Sequence, residues 1–473
     1  MQLHAHKTKS YIKSALRDKE LRRAVDKATA TALQKRADKV EHMPYWEELR
    51  HKAHAIKREV IDHLDTYLET FEAQATKNGM HVHWAVDSAE AQKIIHNLAQ
   101  QHRVKNVVKS KSLTTEEIHL NSFLTEHGIE SVDTDLGEYV VQLLDQIPSH
   151  LTAPALHLSR QDIGRIFHEK LGVPYTEDAH ELLQIARTRM REKFLNADMG
   201  VSGVNFAIAE SGALTIVENE ANARLSVGVP NIHVAVMGVE KLLPSMNELP
   251  VFLKLLAPSS TGQKQTVYVN MIGGPLHALN SEGPKEVHVI LLDNGRSKIL
   301  ADPQLRETLF CIRCGACLNA CPIYQLVGGH AYGWVYMGPI GITLIPQFLG
   351  ETEGRYAPYV SSLCGACFHA CPVRINIPHH LLKLRHNVVD SGNATRVEKL
   401  GIRIWAFLAK HPLLYRLATW FPGKVQALYP KPFPVPGYRC ERTIGRFDAK
   451  GFRKRFQDME NTNQDELTSP KST

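Results

Sequence analysis

Two stretches of this chain, fifty residues apart, concentrate its sulfur. CIRCGACLNACPI runs from Cys311 to Ile323, and SSLCGACFHACPV runs from Ser361 to Val373. Both read CGAC, two variable residues, then ACP, and they differ at the leading position, Cys311 in the first and Ser361 in the second. Seven of the eight cysteines lie between 311 and 371, and the eighth is Cys440. The first run is C-x2-C-x2-C-x3-C-P, the ferredoxin-type spacing that holds iron–sulfur clusters. Two-residue gaps let a tight loop present three thiolates around one cube, Gly315-Ala316 let backbone amides approach the sulfurs, and Pro322 turns the chain away. A disulfide framework does not suit a chain without a secretory signal. Structural zinc would want paired CxxC motifs or added histidines, not a fourth cysteine followed by proline.

In two-cluster ferredoxins the fourth cysteine of each run ligates the other cluster. On that rule Cys311, Cys314, Cys317 and Cys371 hold a first 4Fe-4S cluster, while Cys321, Cys364 and Cys367 hold a second with only three cysteines. Ser361 as alkoxide, Cys440 folding back, a non-protein ligand, or a three-iron (3Fe-4S) cluster would each complete the second site. Ile312, Leu318, Ile323, Phe368, Val373 and Ile375 are the apolar neighbours expected to shield both.

These loops need a frame. Residues up to about 78 read as helix, with Trp46, Leu49, Ala53, Ile56, Val60, Ile61 and Leu64 at helical spacing and Gly79 as the stop. From His81 onward short β-rich runs (81–86, 104–110, 130–135) alternate with helical ones (114–128, 137–147), the pattern of an α/β domain with a largely parallel sheet. NFAIAESGALTIVEN (205–219) reads as a hairpin about Ser211-Gly212. INIPHHLLKLRHNVV, after the second run, reads as the start of a helix.

This ferredoxin-type module, together with VVKSKSLTTEEIHLN, ESVDTDLGEYVVQLLDQIPSHLTAPALH and GVSGVNFAIAESGALTIVENEANAR, resembles the lactate utilization protein B family from about residue 40 to 440. The resemblance implies an α/β LUD domain with a fold related to the isomerase and CoA-transferase group. It also implies a three-cysteine second run as a family trait. Function follows as an expectation: an iron–sulfur subunit that relays single electrons as L-lactate becomes pyruvate. It would be a non-catalytic electron-transfer component of an oxidoreductase complex, with other subunits as partners and a quinone or other membrane-associated acceptor. The expected division is a helical arm (1–78), the LUD domain (79–300), a mainly helical two-cluster module (301–392) and a helical, Pro-rich tail (393–473) whose last residues are disordered. Two other classes fit the same residues. One is an iron–sulfur enzyme binding substrate at an open iron, with Lys109 and Lys111 contributing; the other is a redox sensor or scaffold.

The rest of the chain narrows the choice. Lys109-Ser110-Lys111-Ser112 follow a strand and precede a helix, where an anion could sit, although Ser112 or Thr114 could simply cap that helix. Asp133, Asp135 and Glu138 form a polar cluster after the next strand, Asp135 doubling as an N-cap. Glu210 and Glu218 read as solvent-facing hairpin positions, and His150 and His157 as structural. No G-x-G-x-x-G, P-loop or nucleophile elbow occurs. A formal charge of +7 over 473 residues comes without a recognition motif for nucleic acid. The apolar run 337–350 is too short to span a membrane, and the run 401–421 is interrupted by charge and by Pro412. The second run suits packing on this protein or a partner, or lying in a membrane interface. The expected location is cytoplasmic, with peripheral contact at the inner face of the membrane.

Overall fold

The computed structural model describes residues 4–276, 283–393, 396–428, 433–434, 443–444 and 455–460. It divides into two units, Met1–Asn393 and Ala394–Thr473. Cys440 and the polar end from residue 461 lie outside the described residues.

Among the described residues ten strands build the first unit: β1 (His81–Ala85), β2 (Asn106–Lys109), β3 (Glu130–Asp133), β4 (Met199–Gly203), β5 (Phe206–Ile208), β6 (Ala213–Glu218), β7 (Ile232–Gly238), β8 (Leu242–Leu243), β9 (Tyr268–Ile272) and β10 (Glu286–Leu292). Six form a sheet in the order β1-β10-β7-β4-β2-β3, and every pairing in it is parallel. The composition explains the burial. IHVAVMG (β7) is buried along its whole length, and EVHVILL (β10) almost so, as expected for strands covered by helices on both faces. Chain order turns back between β3 and β4, which lie on opposite sides of β2. The carboxyl ends of β2 and β4 therefore flank a switch point, where open α/β sheets form their crevices.

The expected hairpin is β5–β6, antiparallel, with Gly212 at φ +68°. A Cβ there would also meet the Ala75 amide at 2.4 Å, so glycine is needed twice over. Together with β8 and β9 the hairpin forms a four-stranded sheet, β8-β5-β6-β9.

Helices bear out the periodic reading, with local breaks. The stretch read as one helix from Trp46 is two, Trp46–Asp62 and Leu64–Lys77, and the buried stripe of Val60, Ile61, Leu64, Leu68 and Phe71 runs on across the break. The helix expected over 114–128 is likewise split into Leu113–Glu117 and Leu120–Glu126, because His119 adopts a left-handed conformation at φ +50°. Ser112 and Asp135 cap the helices they precede by accepting from Thr115 N and Glu138 N. After the second cysteine run the helix is Ile377–Asp390, with the Asn376 side chain accepting from His379 N.

One apolar core runs from Trp46 and Phe71 through Phe206, Phe252 and Leu291 to Cys314, Cys317 and Ile345. The run 337–350 is absorbed there as part of the helix Gly338–Gly354. In the second unit the helices Arg396–Lys410 and Pro412–Leu428 meet at His411, and Leu400, Ile402, Trp405, Leu413, Leu417 and Trp420 are exposed on them. Among the described residues no helix is long and apolar enough to cross a membrane.

His233, inside β7, is fully buried with Nε2 2.7 Å from Ser202 Oγ. Burial, and then His288, push its pKa down to about 3. The unfolded chain, with an ordinary histidine pKa of ~6.5, binds that proton first. Stability from this residue is therefore complete above pH ~6.5 and is lost as pH falls towards the folded value. His233→Gln should reduce the pH slope of unfolding free energy by up to ~1.4 kcal/mol per pH unit between about pH 5.5 and 6.5. Urea melts across that range measure it, and an unchanged slope would contradict the assignment.

Candidate metal centre

The two cysteine runs fold alike. Arg313 and Gly315 have positive φ (60° and 77°), and the equivalent Leu363 and Gly365 repeat it (57° and 83°). Short helices follow, Ala316–Asn319 and Ala366–Ala370. The Arg313 amide donates to Cys311 Sγ at 3.4 Å, and in the same register the Leu363 amide donates to Ser361 Oγ at 3.1 Å. Ser361 thus occupies the place of the missing cysteine with the same backbone donor aimed at it. The Ile375 amide donates to Cys371 Sγ at 3.4 Å. Such N–H donors favour thiolate over thiol and help set the potential of a bound cluster.

Cys311, Cys314, Cys317 and Cys371 line one small apolar cavity, closed by Leu151, Ile340, Val373 and Ile375 among others. Three of the four are buried and Cys311 is half-buried. Burial, then Cys311, Cys314 and Cys371, push the Cys317 thiol well up. Burial also lifts Cys371 to about 11. Cys321, Cys364 and Cys367 form the second set. Burial and then Cys321 push Cys367 up to about 12, while Cys364 is exposed and lowered by the Ala366 amide. Among the described residues no three His, Cys, Asp or Glu side chains converge as ligands of one metal ion would. A cube, whose irons sit at separate corners, needs its thiolates set apart. Closely set cysteines, five of the seven buried, that repel one another once ionised and are served by backbone donors fit an iron–sulfur group.

The frame reaches into the amino-terminal helices. Arg50 is buried and donates from Nε to Cys371 O and from Nη2 to Phe368 O, both at 3.0 Å, while Arg36 Nη2 donates to Ala370 O at 3.2 Å. These bonds satisfy carbonyls at the end of the short helix in the second run. Of the expected apolar neighbours, Ile312, Leu318, Val373 and Ile375 are buried, and Ile323 and Phe368 are half-buried.

A buried charge network stands beside the first run. Arg296 forks onto Glu117 with two 2.9 Å bonds and donates from Nε to Glu240 at 2.6 Å. Tyr336 donates to Glu117 at 2.6 Å, and the Arg313 guanidinium lies 4.5 Å from the Tyr336 ring centroid with Nη2 3.5 Å from Glu240. Lys57 donates to the Glu240 carbonyl at 2.5 Å. Against the cost of burial, Arg296, Lys241 and Arg313 hold Glu240 down at about 2. Nothing in the spacing of Glu117, Glu240 and Arg296 along the chain points to this network, and neither it nor Lys241 was anticipated.

Other expected site residues fare differently. Lys109 is not free for an anion: its ammonium contacts Asp133 and sits 2.9 Å from Glu116. Lys111 donates to Asp135 at 3.1 Å and to Thr152 O at 2.9 Å, at the edge of an open cavity. The expectation of a solvent-facing Glu218 is corrected: it accepts from the Ala223 and Arg224 amides and from Asn270, closing a turn. Glu210 is exposed, as expected. His150 accepts from Thr152 N and donates to Asn319 Oδ1, and His157 joins Ser149 and Gln146, so both bind loops together.

Three family models match the chain: the LUD domain over residues 68–292, a 4Fe-4S dicluster domain over 307–375, and the carboxyl-terminal model of lactate utilisation protein B over 383–461. Lactate utilization protein B from Bacillus cereus (strain AH820) is 40% identical over 94% of this chain and 93% of its own length, and that of Bacillus thuringiensis (strain Al Hakam) is equally similar. A DUF162 family protein of Deinococcus radiodurans is 14% identical over 48% of this chain and 98% of its own, with a TM-score of 0.29.

Removing the Arg50 guanidinium takes a charged donor from each of two carbonyls, Cys371 O and Phe368 O, which keep only a backbone N–H each. Arg50→Ala should cost about 3 kcal/mol, read as a lower thermal midpoint, and should speed iron loss to a chelator. A variant that kept both iron and midpoint would contradict the bracing role.

Proposed function

The chain belongs to the lactate utilization protein B family, and we propose that it serves as the iron–sulfur electron-transfer subunit of a multi-subunit system oxidising L-lactate to pyruvate. The observation that carries this reading is that Cys371, from the second run, lines the same cavity as Cys311, Cys314 and Cys317 from the first. Two loops that share ligands in this way make one rigid holder for two centres. Cys311, Cys314, Cys317 and Cys371 would hold the first, and Cys321, Cys364 and Cys367 the second, with Ser361 beside its remaining corner. Bound clusters supply one-electron carriers. The protein's part is to bury the first set, exclude water with Ile312, Leu318, Val373 and Ile375, and aim amides at sulfur.

The two sites differ in access. Cys364 is exposed while Cys314, Cys317 and Cys371 are buried, so a partner subunit would meet the chain at the second site. A quinone or other membrane-associated acceptor is favoured by the exposed Ile402, Trp405, Leu413 and Trp420 with Arg403 and Lys410, the residue types of an interfacial helix pair. We take residues 79–300 as an isomerase/CoA-transferase-like LUD domain, 1–78 and 301–392 as the helices and two-cluster module that complete the first unit, and 393–473 as the tail.

Cys317→Ala and Cys364→Ser separate the two sites. In a reconstituted system each should lower lactate-dependent reduction of the physiological acceptor at least about a hundredfold, and Cys364→Ser should leave more iron per chain than Cys317→Ala. Unimpaired electron transfer in either variant, with its iron lost, would sink the relay.

A further inference from the structure

The most unusual space in the molecule adjoins the first cysteine run without belonging to it. It is a cavity of about 250 Å³ at the switch point of the parallel sheet. Its floor comes from the carboxyl ends of strands: Lys111 and Ser112 after β2, Gly203 and Asn205 at the end of β4, and Lys241 after β7. Ile312 and Arg313, between the ligand candidates Cys311 and Cys314, also line it. Gly203 keeps the floor tight, since a Cβ there would meet Ser112 Oγ at 2.6 Å.

Two cations face this space without a full set of partners. Lys241 is only 8% exposed, and its ammonium makes no hydrogen bond among the described residues. Arg313 Nη1 is buried and has no hydrogen-bond partner, its other nitrogen leaning on Glu240. A buried cation with donors left unanswered is costly, and a site that retains two such cations is arranged for an anion. Asp135, Glu218 and Glu220 line the cavity as well. Asp135 is already paired with Lys111 and Glu218 with backbone amides and Asn270, but the three together still outweigh the one lysine and repel a second negative charge, and Glu220 offers an acceptor to a hydroxyl. The volume is below the range of cofactor-sized sites.

We propose that this cavity binds a small monocarboxylate, its carboxylate on Lys241 and Arg313 and its neutral or hydroxylated end towards the acidic wall, next to the first cysteine run. The ligand class follows from the charges and the volume. The choice of L-lactate and pyruvate as probes rests on the function proposed above.

The test is equilibrium binding of L-lactate and of pyruvate to the anaerobically purified, iron-loaded full chain, measured by calorimetry with no electron acceptor present. The expected result is saturable binding of at least one probe at one site per chain. Lys241→Gln should weaken it at least about tenfold, Lys241→Arg, which keeps the charge, should weaken it less, and both should carry native iron. Succinate, with a second carboxylate for the acidic wall to repel, should bind the native protein at least about tenfold more weakly. No saturable binding of either probe, native affinity in an iron-replete Lys241→Gln, or succinate binding as tightly as the monocarboxylates would each overturn the proposal. The succinate comparison needs no variant, so it stands even if Lys241→Gln does not fold. Because no electron transfer is measured, the relay can fail with binding intact, and binding can fail with the relay intact.

Discussion

Five of the seven clustered cysteines lie in a water-poor interior, where their sulfurs repel one another as soon as they ionise, and much of the first unit is arranged around that constraint. Burial first, and then the neighbouring cysteines, push the inner thiols up, so they accept thiolate charge only where something positive or hydrogen-bonding answers it. The backbone answers first, through amides aimed at Cys311 and Cys371. Arginines answer next, Arg36 and Arg50 at the carbonyls of the second run and Arg313 within the first. What remains is the charge that iron neutralises. The helices before residue 78 are therefore part of the metal holder, even though more than three hundred residues separate Arg36 and Arg50 from the carbonyls they bond.

A second layer ties the holder to the α/β sheet. Glu117, Glu240 and Arg296 come from the sheet's loops and helices, Tyr336 and Arg313 from the cysteine module, and Lys57 from the amino-terminal helices. Their bonds are short, buried and mutually dependent, so a change at one member leaves another's charge unpaired. This network ties the sheet to the cysteine loops, and two of its members, Arg313 and Tyr336, line the cavity beside the first run. Strand-end crevices of α/β sheets commonly receive ligands, and here the crevice is roofed by the loop that carries the first run.

The cysteine runs were readable because their chemistry imposes exact spacing on consecutive residues, and the α/β alternation was readable because parallel strands must be apolar on both faces. The hairpin about Gly212 announced itself through turn residues. Long-range pairing was not readable: Glu117 and Arg296 are nearly 180 residues apart, and neither position has a local pattern that names the other. Lys109 misled for the same reason. A lysine after a strand suits an anion equally well whether or not Asp133 on the neighbouring strand already answers it. Ser361 was placed correctly by register, and the structure adds the amide that holds its hydroxyl.

The most direct test of the two-centre holder is an iron and sulfide count on strictly anaerobic protein, with EPR before and after dithionite. Two centres sharing one frame predict about seven or eight irons per chain, the lower figure with an oxidised three-iron signal if the corner at Ser361 is vacant, and a reduced spectrum broadened by coupling between centres. About four irons, or two reduced centres with no coupling, would contradict the interlocked arrangement of the seven cysteines.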